Sequence, residues 1–218
     1  MPRLLFEKTG NAVWISHLDL MRVFQRAFKR AGLSLTHTHG FNPRPSVSIA
    51  LPLSVGVESH CELLDFELSE DHTSDQICDR LNRALIEGVR VLQVYDTGRK
   101  LRELTFLRCH VSLYYDNGIP EGAVQALRSL FSADSLIVEK KTKSGLQEQD
   151  IIPMIRSMSV YPAAEKEISI DAVVCCQNPT LNPMQLIAAV ERYLPDMKPD
   201  GCKYSRTELY DAQENIFR

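Results

Sequence analysis

The chain has 218 residues, of which 44% are hydrophobic and 24% are charged, and its formal net charge is −3 at pH 7. A chain of this size can bury a core in one or two globular domains, and no apolar run is long enough for a membrane-spanning helix. The weak net charge gives no overall nucleic-acid signature, and no DNA partner is expected. Arg3, Glu7 and Lys8 interrupt the apolar start, which is not the pattern of a signal peptide, so we expect a cytoplasmic protein.

Positive charge is nevertheless concentrated near the start of the chain. Residues 1–60 contain seven Lys and Arg but three Asp and Glu, a local excess of +4 that leaves −7 for the remainder. Local fields decide anion binding more than the total charge does. The alternative is that these cations form an ordinary solvated helix face.

An amphipathic helix is predicted over residues 16–31. Ser16 is its N-cap, and Asp19 three residues later completes a capping-box pattern. Gly32 ends the helix, because glycine readily adopts the left-handed conformation found there. Apolar residues at helical spacing form a stripe that we expect to be buried: Leu20, Phe24, Ala27, Phe28 and Ala31.

The rest of the first half alternates between strand and helix patterns. Strands are predicted at residues 3–8, 47–53, 63–68 and 89–95, and a second capped helix at residues 73–86. The second half repeats this order, with strands at 104–115, 136–140, 168–175 and 202–210, and helices at 120–131 and 182–193. Residues 141–162 are predicted to form a long loop with a short helical turn at 151–158.

Each half therefore has the order strand-helix-strand-strand-helix-strand. This predicts an α+β protein of two tandem ferredoxin-like (split βαβ) domains with antiparallel sheets. The predicted domains are residues 1–97 and 103–218.

The first helix and the loop after it are the strongest functional signal. Four cations occupy the helix face opposite the apolar stripe: Arg22, Arg26, Lys29 and Arg30. The loop Gly-Phe-Asn-Pro-Arg-Pro at residues 40–45 is stiff, because each proline restricts the residue before it. We expect this loop to lie beside the start of the helix.

The loop presents Phe41, Asn42 and Arg44. An aromatic ring, an amide and a guanidinium group are suited to base stacking, base-edge hydrogen bonding and phosphate binding in RNA. The alternative is a stiff connection that packs Phe41 into the core. A second basic cluster, with Lys141 and Lys143 at its centre, is either a further RNA contact or a solvated run.

Three histidines are candidates for catalysis. His17 lies at the start of the first helix, and His37 and His39 lie two residues apart before the loop. Together they could supply the acid and base of metal-independent RNA cleavage, or two metal ligands. The alternatives are a histidine bonded to helix backbone and two solvated loop histidines. No metal site is expected, since no third and fourth ligand has a recognisable spacing, and common enzyme motifs are absent.

The six cysteines form no CxxC pair, no CxxxCxxC triplet for a radical SAM cluster and no regular framework. We expect buried, reduced thiols.

The sequence resembles the radical-SAM-associated protein family, a bacterial family of unknown function. The resemblance rests on motifs that cover nearly the whole chain: Ser16-His17-Leu18-Asp19, Gly40-Phe41-Asn42-Pro43, Pro45, Val55-Gly56, Lys141-Thr142-Lys143-Ser144-Gly145, Asp150-Ile151-Ile152-Pro153 and Arg206-Thr207-Glu208-Leu209. Members of that family are fused to, or encoded beside, cobalamin-binding-type radical SAM proteins. At one position the chain departs from the family, since Arg44 stands where the family's loop has a histidine, which argues against proton transfer there.

The resemblance implies a radical SAM protein as partner. That partner is expected to hold the iron-sulfur cluster and S-adenosylmethionine, and this chain no cofactor of its own. We therefore predict an accessory substrate-recognition module that is not itself an enzyme and binds RNA, either tRNA or rRNA. Two alternatives are an endoribonuclease using His17 with His37 or His39, and a protein-docking module without RNA binding.

Overall fold

The computed structural model describes residues 2–142 and 145–218, which form two compact units. Unit 1 contains residues 2–103 together with Arg218, and unit 2 contains residues 104–217. Four α-helices and mostly antiparallel strands make up the described residues, so the fold is α+β as predicted. No helix in this part of the chain is both long and apolar enough to cross a membrane.

Unit 1 has the element order predicted for the first half. Its elements are β1 (Pro2–Lys8), α1 (His17–Arg30), β2 (Val47–Ile49), β3 (Val57–Phe66), α2 (Ser74–Ala84) and β4 (Val89–Asp96). Strand β1 lies between β4 and β3, and β2 pairs with the other edge of β3; these pairings are all antiparallel.

The first helix has the N-cap and the C-terminal glycine that its sequence predicts. The Ser16 hydroxyl accepts a hydrogen bond from the Asp19 backbone N–H at 3.2 Å, and Gly32 has a φ of +68° just after the helix. The buried stripe is confirmed for Leu20, Phe24, Ala27 and Phe28, whereas Ala31 is only half-buried. The Phe24 ring packs edge-on against Phe6 with centroids 4.7 Å apart. One face of α1 is thus fixed to the sheet and the opposite face is left to solvent.

Unit 2 contains more strands than the sequence predicted. Its elements are β5 (Phe106–Tyr114), α3 (Ala123–Phe131), β6 (Ile137–Thr142), β7 (Gly145–Asp150), β8 (Ile155–Ala164), β9 (Glu167–Cys175), α4 (Met184–Tyr193) and β10 (Gly201–Tyr210). Strands β10, β5, β9 and β8 lie side by side in that order, and β6 pairs with β7 in a separate hairpin.

The prediction of a long loop at residues 141–162 is therefore wrong. Its described part contains the end of β6, β7 and most of β8, and the helical turn predicted at residues 151–158 is a single 3₁₀ turn at Ile152–Met154. Strands β7 and β8 are mostly exposed on both faces, so their sequences lack the apolar alternation on which strand prediction depends. Backbone pairing with β6 and β9 holds them instead.

The strand predicted at residues 47–53 is also shorter than expected. It ends at Ile49, because Leu51 has a φ of +44° and Pro52 has no backbone N–H to donate.

Candidate nucleic-acid interface

A buried lysine holds the chain segment that leads into α1. Lys8 Nζ donates hydrogen bonds to the carbonyl oxygens of Val13 at 3.1 Å and Ile15 at 2.9 Å, in and after the 3₁₀ turn Gly10–Trp14 that precedes the helix. Burial lowers the pKa of Lys8, and the Glu62 carboxylate partly opposes this by raising it. These bonds fix the direction in which α1 leaves β1.

The solvent-facing side of α1 carries four exposed cations. Arg22, Arg26, Lys29 and Arg30 are all exposed, which confirms the predicted exposure, and their spacing places them along one side of the helix. The stripe is about 12 Å long from Arg22 to Arg30, at 1.5 Å per residue. We call these four residues the α1 basic stripe.

Two members of the α1 basic stripe have partners. Arg22 Nη1 lies 2.7 Å from Asp19 Oδ1, and Arg30 Nη2 donates to the carbonyl oxygen of Ala84 at the end of α2. Hydrogen bonds from Ser16 and Arg22 lower the pKa of Asp19, so this carboxylate stays ionised beside Arg22. The side chains of Arg26 and Lys29 form no ion pair or hydrogen bond with any residue that the structure describes. Their charges are available to an external anion.

The loop predicted to bind RNA protrudes from unit 1 as a hairpin. The backbone N–H of Thr38 donates to Arg44 O at 2.8 Å, that of Ser46 donates to Thr36 O at 2.8 Å, and that of Arg44 donates to the Thr38 hydroxyl at 3.0 Å. Phe41 at its tip is fully exposed, with a relative accessibility of 110%, and Asn42 is also exposed. The alternative in which Phe41 packs into the core is therefore wrong.

This hairpin does not lie beside the start of α1, and that expectation is wrong. Its base is held at the end of β3, where the backbone N–H of Thr36 donates to Glu67 O at 2.9 Å. The 3₁₀ turn before α1 is held at the other end of β3, where the Gly56 N–H donates to Val13 O at 2.9 Å. The ten-residue strand β3 separates these two anchors by about 30 Å.

The three candidate catalytic histidines are consequently not brought together. His17 lies at the start of α1, near one end of β3, while His37 and His39 lie in the hairpin at the other end. An acid and a base must both reach the same scissile bond. A site combining His17 with either hairpin histidine is not assembled in unit 1.

The second predicted basic cluster is only partly described. Lys143 lies outside the described residues, and so does the side chain of Lys141, whose backbone belongs to β6. Their neighbour Lys140 donates from Nζ to the carbonyl oxygen of Thr180 at 3.2 Å, which gives it a structural partner within unit 2.

Sequence reasoning missed a polar network on the sheet of unit 2. His110 Nδ1 lies 2.9 Å from Asp171 Oδ1, Tyr161 donates to Asp171 Oδ2 at 2.7 Å, and the Ser112 hydroxyl lies 3.3 Å from His110 Nε2. A hydroxyl, an imidazole and a carboxylate in this order can activate a serine nucleophile. Ser112 is only 5% exposed, however, which does not favour a nucleophile open to substrate. We interpret the network as a cross-strand polar cluster that stabilises β5, β8 and β9.

This interpretation predicts a pH-dependent stability. Burial alone would raise the pKa of Asp171, but hydrogen bonds from Tyr161 and His110 outweigh it and lower the pKa. Ionised Asp171 then stabilises the fold above its unfolded pKa near 4, and this contribution is lost as the pH falls through the folded pKa. We expect Asp171→Asn to cost at most about 1 kcal/mol at about pH 7, since the side chain is 41% exposed, and a smaller amount at about pH 3, below the unfolded pKa.

Urea unfolding at both pH values, with Glu165→Gln in an exposed turn as control, measures this difference. A cost for Asp171→Asn that is equal at both pH values would contradict the interpretation.

The described residues give no support for a metal site or for catalysis by a cysteine thiol. Within residues 2–142 and 145–218, no group of three or more His, Cys, Asp or Glu side chains is arranged to hold a metal ion. The six cysteines are free thiols, of which Cys61, Cys109 and Cys176 are buried. Burial raises the pKa of both Cys109 and Cys176 to about 12, which makes these thiols poor nucleophiles.

Comparison with known proteins identifies a family and a shared fold. Residues 2–183 match the family described as an uncharacterized protein conserved in bacteria, DUF2344. No curated protein matches the chain in sequence. Among solved structures, one chain of a Cbf5-Nop10-Gar1 complex is similar, with a TM-score of 0.51 and 9% sequence identity. The similarity covers 95% of this chain and 48% of that chain. An H/ACA RNP bound to a substrate RNA containing 2'-deoxyuridine gives a TM-score of 0.49 and 8% identity over 94% of this chain and 46% of that chain. This chain spans about half the length of each of these two matched chains.

Proposed function

We propose a function for this chain, which belongs to DUF2344, a family of uncharacterized proteins conserved in bacteria. The chain is a non-catalytic module that binds RNA and presents it to a partner enzyme. The observation that carries the proposal is the α1 basic stripe, in a chain whose net charge is −3. The likeness to the Cbf5-Nop10-Gar1 chain concerns the fold alone, so the argument rests on the charges of unit 1.

The α1 basic stripe has the chemistry of a phosphate-contacting surface. The side chains of Arg26 and Lys29 are exposed and form no ion pair or hydrogen bond among the described residues, and Arg26 interacts with Asp19 only at longer range. Binding an anion therefore breaks no existing ion pair. The apolar face of α1 is packed on the sheet, which fixes the cations on a rigid helix and limits the entropy lost on binding. Such contacts position a nucleic acid without reading its sequence.

The hairpin at residues 36–46 supplies the second part of the proposed RNA surface. Phe41 is free to stack on an unpaired base, and Asn42 and Arg44 are exposed beside it. The end of α1 leads directly into this segment, so Lys29 and Arg30 are the members of the α1 basic stripe nearest to it along the chain. RNA with unpaired bases, as in the loops of tRNA or rRNA, is the class of ligand that uses both surfaces.

The proposal also covers architecture, partner and place of action. Each unit is ferredoxin-like, which is supported by the strand orders β4-β1-β3-β2 and β10-β5-β9-β8, with the β6–β7 hairpin inserted in unit 2. The partner is a radical SAM enzyme in the cytoplasm that carries the iron-sulfur cluster and S-adenosylmethionine. The motif resemblance supports this partner, and the chain contributes substrate recognition to it.

The experiment is a salt-titrated binding assay of Arg22→Ala/Arg26→Ala with total tRNA. We expect about tenfold weaker binding at about 100 mM salt, because two phosphate contacts are lost. The slope of log Kobs against log salt should become shallower by about 1.4 to 1.8, since each contact contributes about 0.7 to 0.9. The matched control is Arg102→Ala/Arg192→Ala, which removes two exposed arginines outside the proposed surface. Equal losses in both double variants would show non-specific attraction and refute the assigned surface.

A further inference from the structure

A small cavity in unit 1 is walled by arginines from both helices. It has a volume of about 290 Å³ and is lined by Arg30, Ala31, Arg80, Arg83 and Ala84. Three arginines therefore line one cavity near the C-terminal ends of α1 and α2, and no acidic residue lines it. The two alanines are too small to cover an aromatic ring, so the chemistry of the cavity is cationic.

The hydrogen bonds of the described residues leave most of this positive charge uncompensated. Arg30 Nη2 donates to the carbonyl oxygen of Ala84, which offsets part of the negative charge at the end of α2. Arg80 and Arg83 are exposed and lie three residues apart on one face of α2, and their side chains have no ion-pair or hydrogen-bond partner among residues 2–142 and 145–218. Asp79, four residues before Arg83 on α2, forms no ion pair with Arg83 in that part of the chain. Three like charges near one another repel, and an anion bound between them offsets this repulsion.

A second cavity of unit 1 shows that this concentration of charge is local. It has a similar volume of about 280 Å³, but its polar lining includes Glu67, Glu70, Asp71 and Asp96. An anion is repelled there and attracted at the arginine cavity. The two cavities of unit 1 therefore carry charges of opposite sign.

We propose that Arg30, Arg80 and Arg83 form a subsite for one phosphate group of the bound RNA backbone. Guanidinium groups match phosphate oxygens with paired N–H donors, and three of them can surround one phosphate. Arg30 belongs to both the α1 basic stripe and the cavity, so the subsite continues that stripe onto α2. The inference rests on the proposed function, which it extends from a helix face to a defined anion site.

The test uses Arg80→Gln/Arg83→Gln in the full chain, and leaves Arg30 intact because it also holds α2. With total tRNA as probe, we expect about tenfold weaker binding at about 100 mM salt and a slope shallower by about 0.7 to 0.9, because the contact to one phosphate group is lost. The control Arg102→Gln/Arg192→Gln should bind like the wild type. Tm measurements with millimolar inorganic pyrophosphate form a second arm, in which the wild type should gain stability and Arg80→Gln/Arg83→Gln should gain less.

The outcomes separate this inference from the proposed function. If the wild type binds tRNA and Arg80→Gln/Arg83→Gln binds equally well, the subsite is refuted while the proposed function stands. If the wild type does not bind tRNA, the proposed function and the RNA subsite both fail. In that case a pyrophosphate-dependent Tm increase that is lost in Arg80→Gln/Arg83→Gln would identify the cavity as a site for a small free phosphate compound instead.

Discussion

Arg3→Ala is expected to lower the free energy of unfolding of unit 1 by about 3 to 5 kcal/mol. The Arg3 guanidinium donates from Nε to Asp65 Oδ1 at 2.6 Å and from Nη2 to Asp65 Oδ2 at 3.1 Å, and also to the carbonyl oxygen of Arg99 at 3.0 Å. The two side chains are only 2% and 12% exposed. Removing the arginine leaves a nearly buried carboxylate without its counter-charge, which is far costlier than losing a surface ion pair.

Urea unfolding followed by circular dichroism measures this loss, and a double-mutant cycle identifies its cause. Asp65→Ala alone should also be destabilising, whereas Arg3→Ala/Asp65→Ala should cost clearly less than the sum of the single variants. A loss below about 1 kcal/mol for Arg3→Ala would place the pair among ordinary surface salt bridges and contradict the assigned burial.

Gly88→Ala is expected to destabilise unit 1 by about 2 to 5 kcal/mol, because it combines backbone strain with a steric clash. Gly88 has a φ of +81°, and a Cβ added there would lie 2.4 Å from the carbonyl oxygen of Thr9 and 2.9 Å from Ala12 Cβ. Thr9 also donates its backbone N–H to Gly88 O at 2.8 Å. The substitution therefore pushes the chain segment that leads into α1 away from β4.

Gly10→Ala is the matched control for Gly88→Ala in the same unit. Gly10 has a φ of +54° but no neighbouring atom within 4 Å of an added Cβ, so only the backbone strain applies, about 1 to 2 kcal/mol. The difference between the two urea-unfolding free energies isolates the clash. If Gly88→Ala is no more destabilising than Gly10→Ala, the close packing of Gly88 against the turn before α1 is refuted.

Local signals in the sequence were sufficient to predict most of unit 1. The Ser16 cap, the apolar stripe and Gly32 each act within a few residues, and together they located α1 to within one residue at each end. The second capped helix was likewise predicted, and Thr73 and Gln76 form both hydrogen bonds of a capping box at the start of α2.

Features that depend on tertiary contacts were not predictable in this way. His110 and Asp171 are 61 residues apart and meet because β5 and β9 pair in a register that places them opposite each other. Arg80 and Arg83 lie on a predicted helix, but only the approach of the α1 terminus to α2 brings them to Arg30. The hairpin was placed at the wrong end of unit 1, because a loop sequence does not specify which strand end will hold it.

The measurement that tests the central claim most directly is the salt dependence of wild-type binding to total tRNA and rRNA fragments. A protein that contacts RNA through the α1 basic stripe should bind tightly at about 50 mM salt and lose affinity steadily towards about 200 mM. With four phosphate contacts, the slope of log Kobs against log salt should be about −3. An absence of binding at the lowest salt concentration would contradict the RNA-recognition account and favour a module that docks a protein partner.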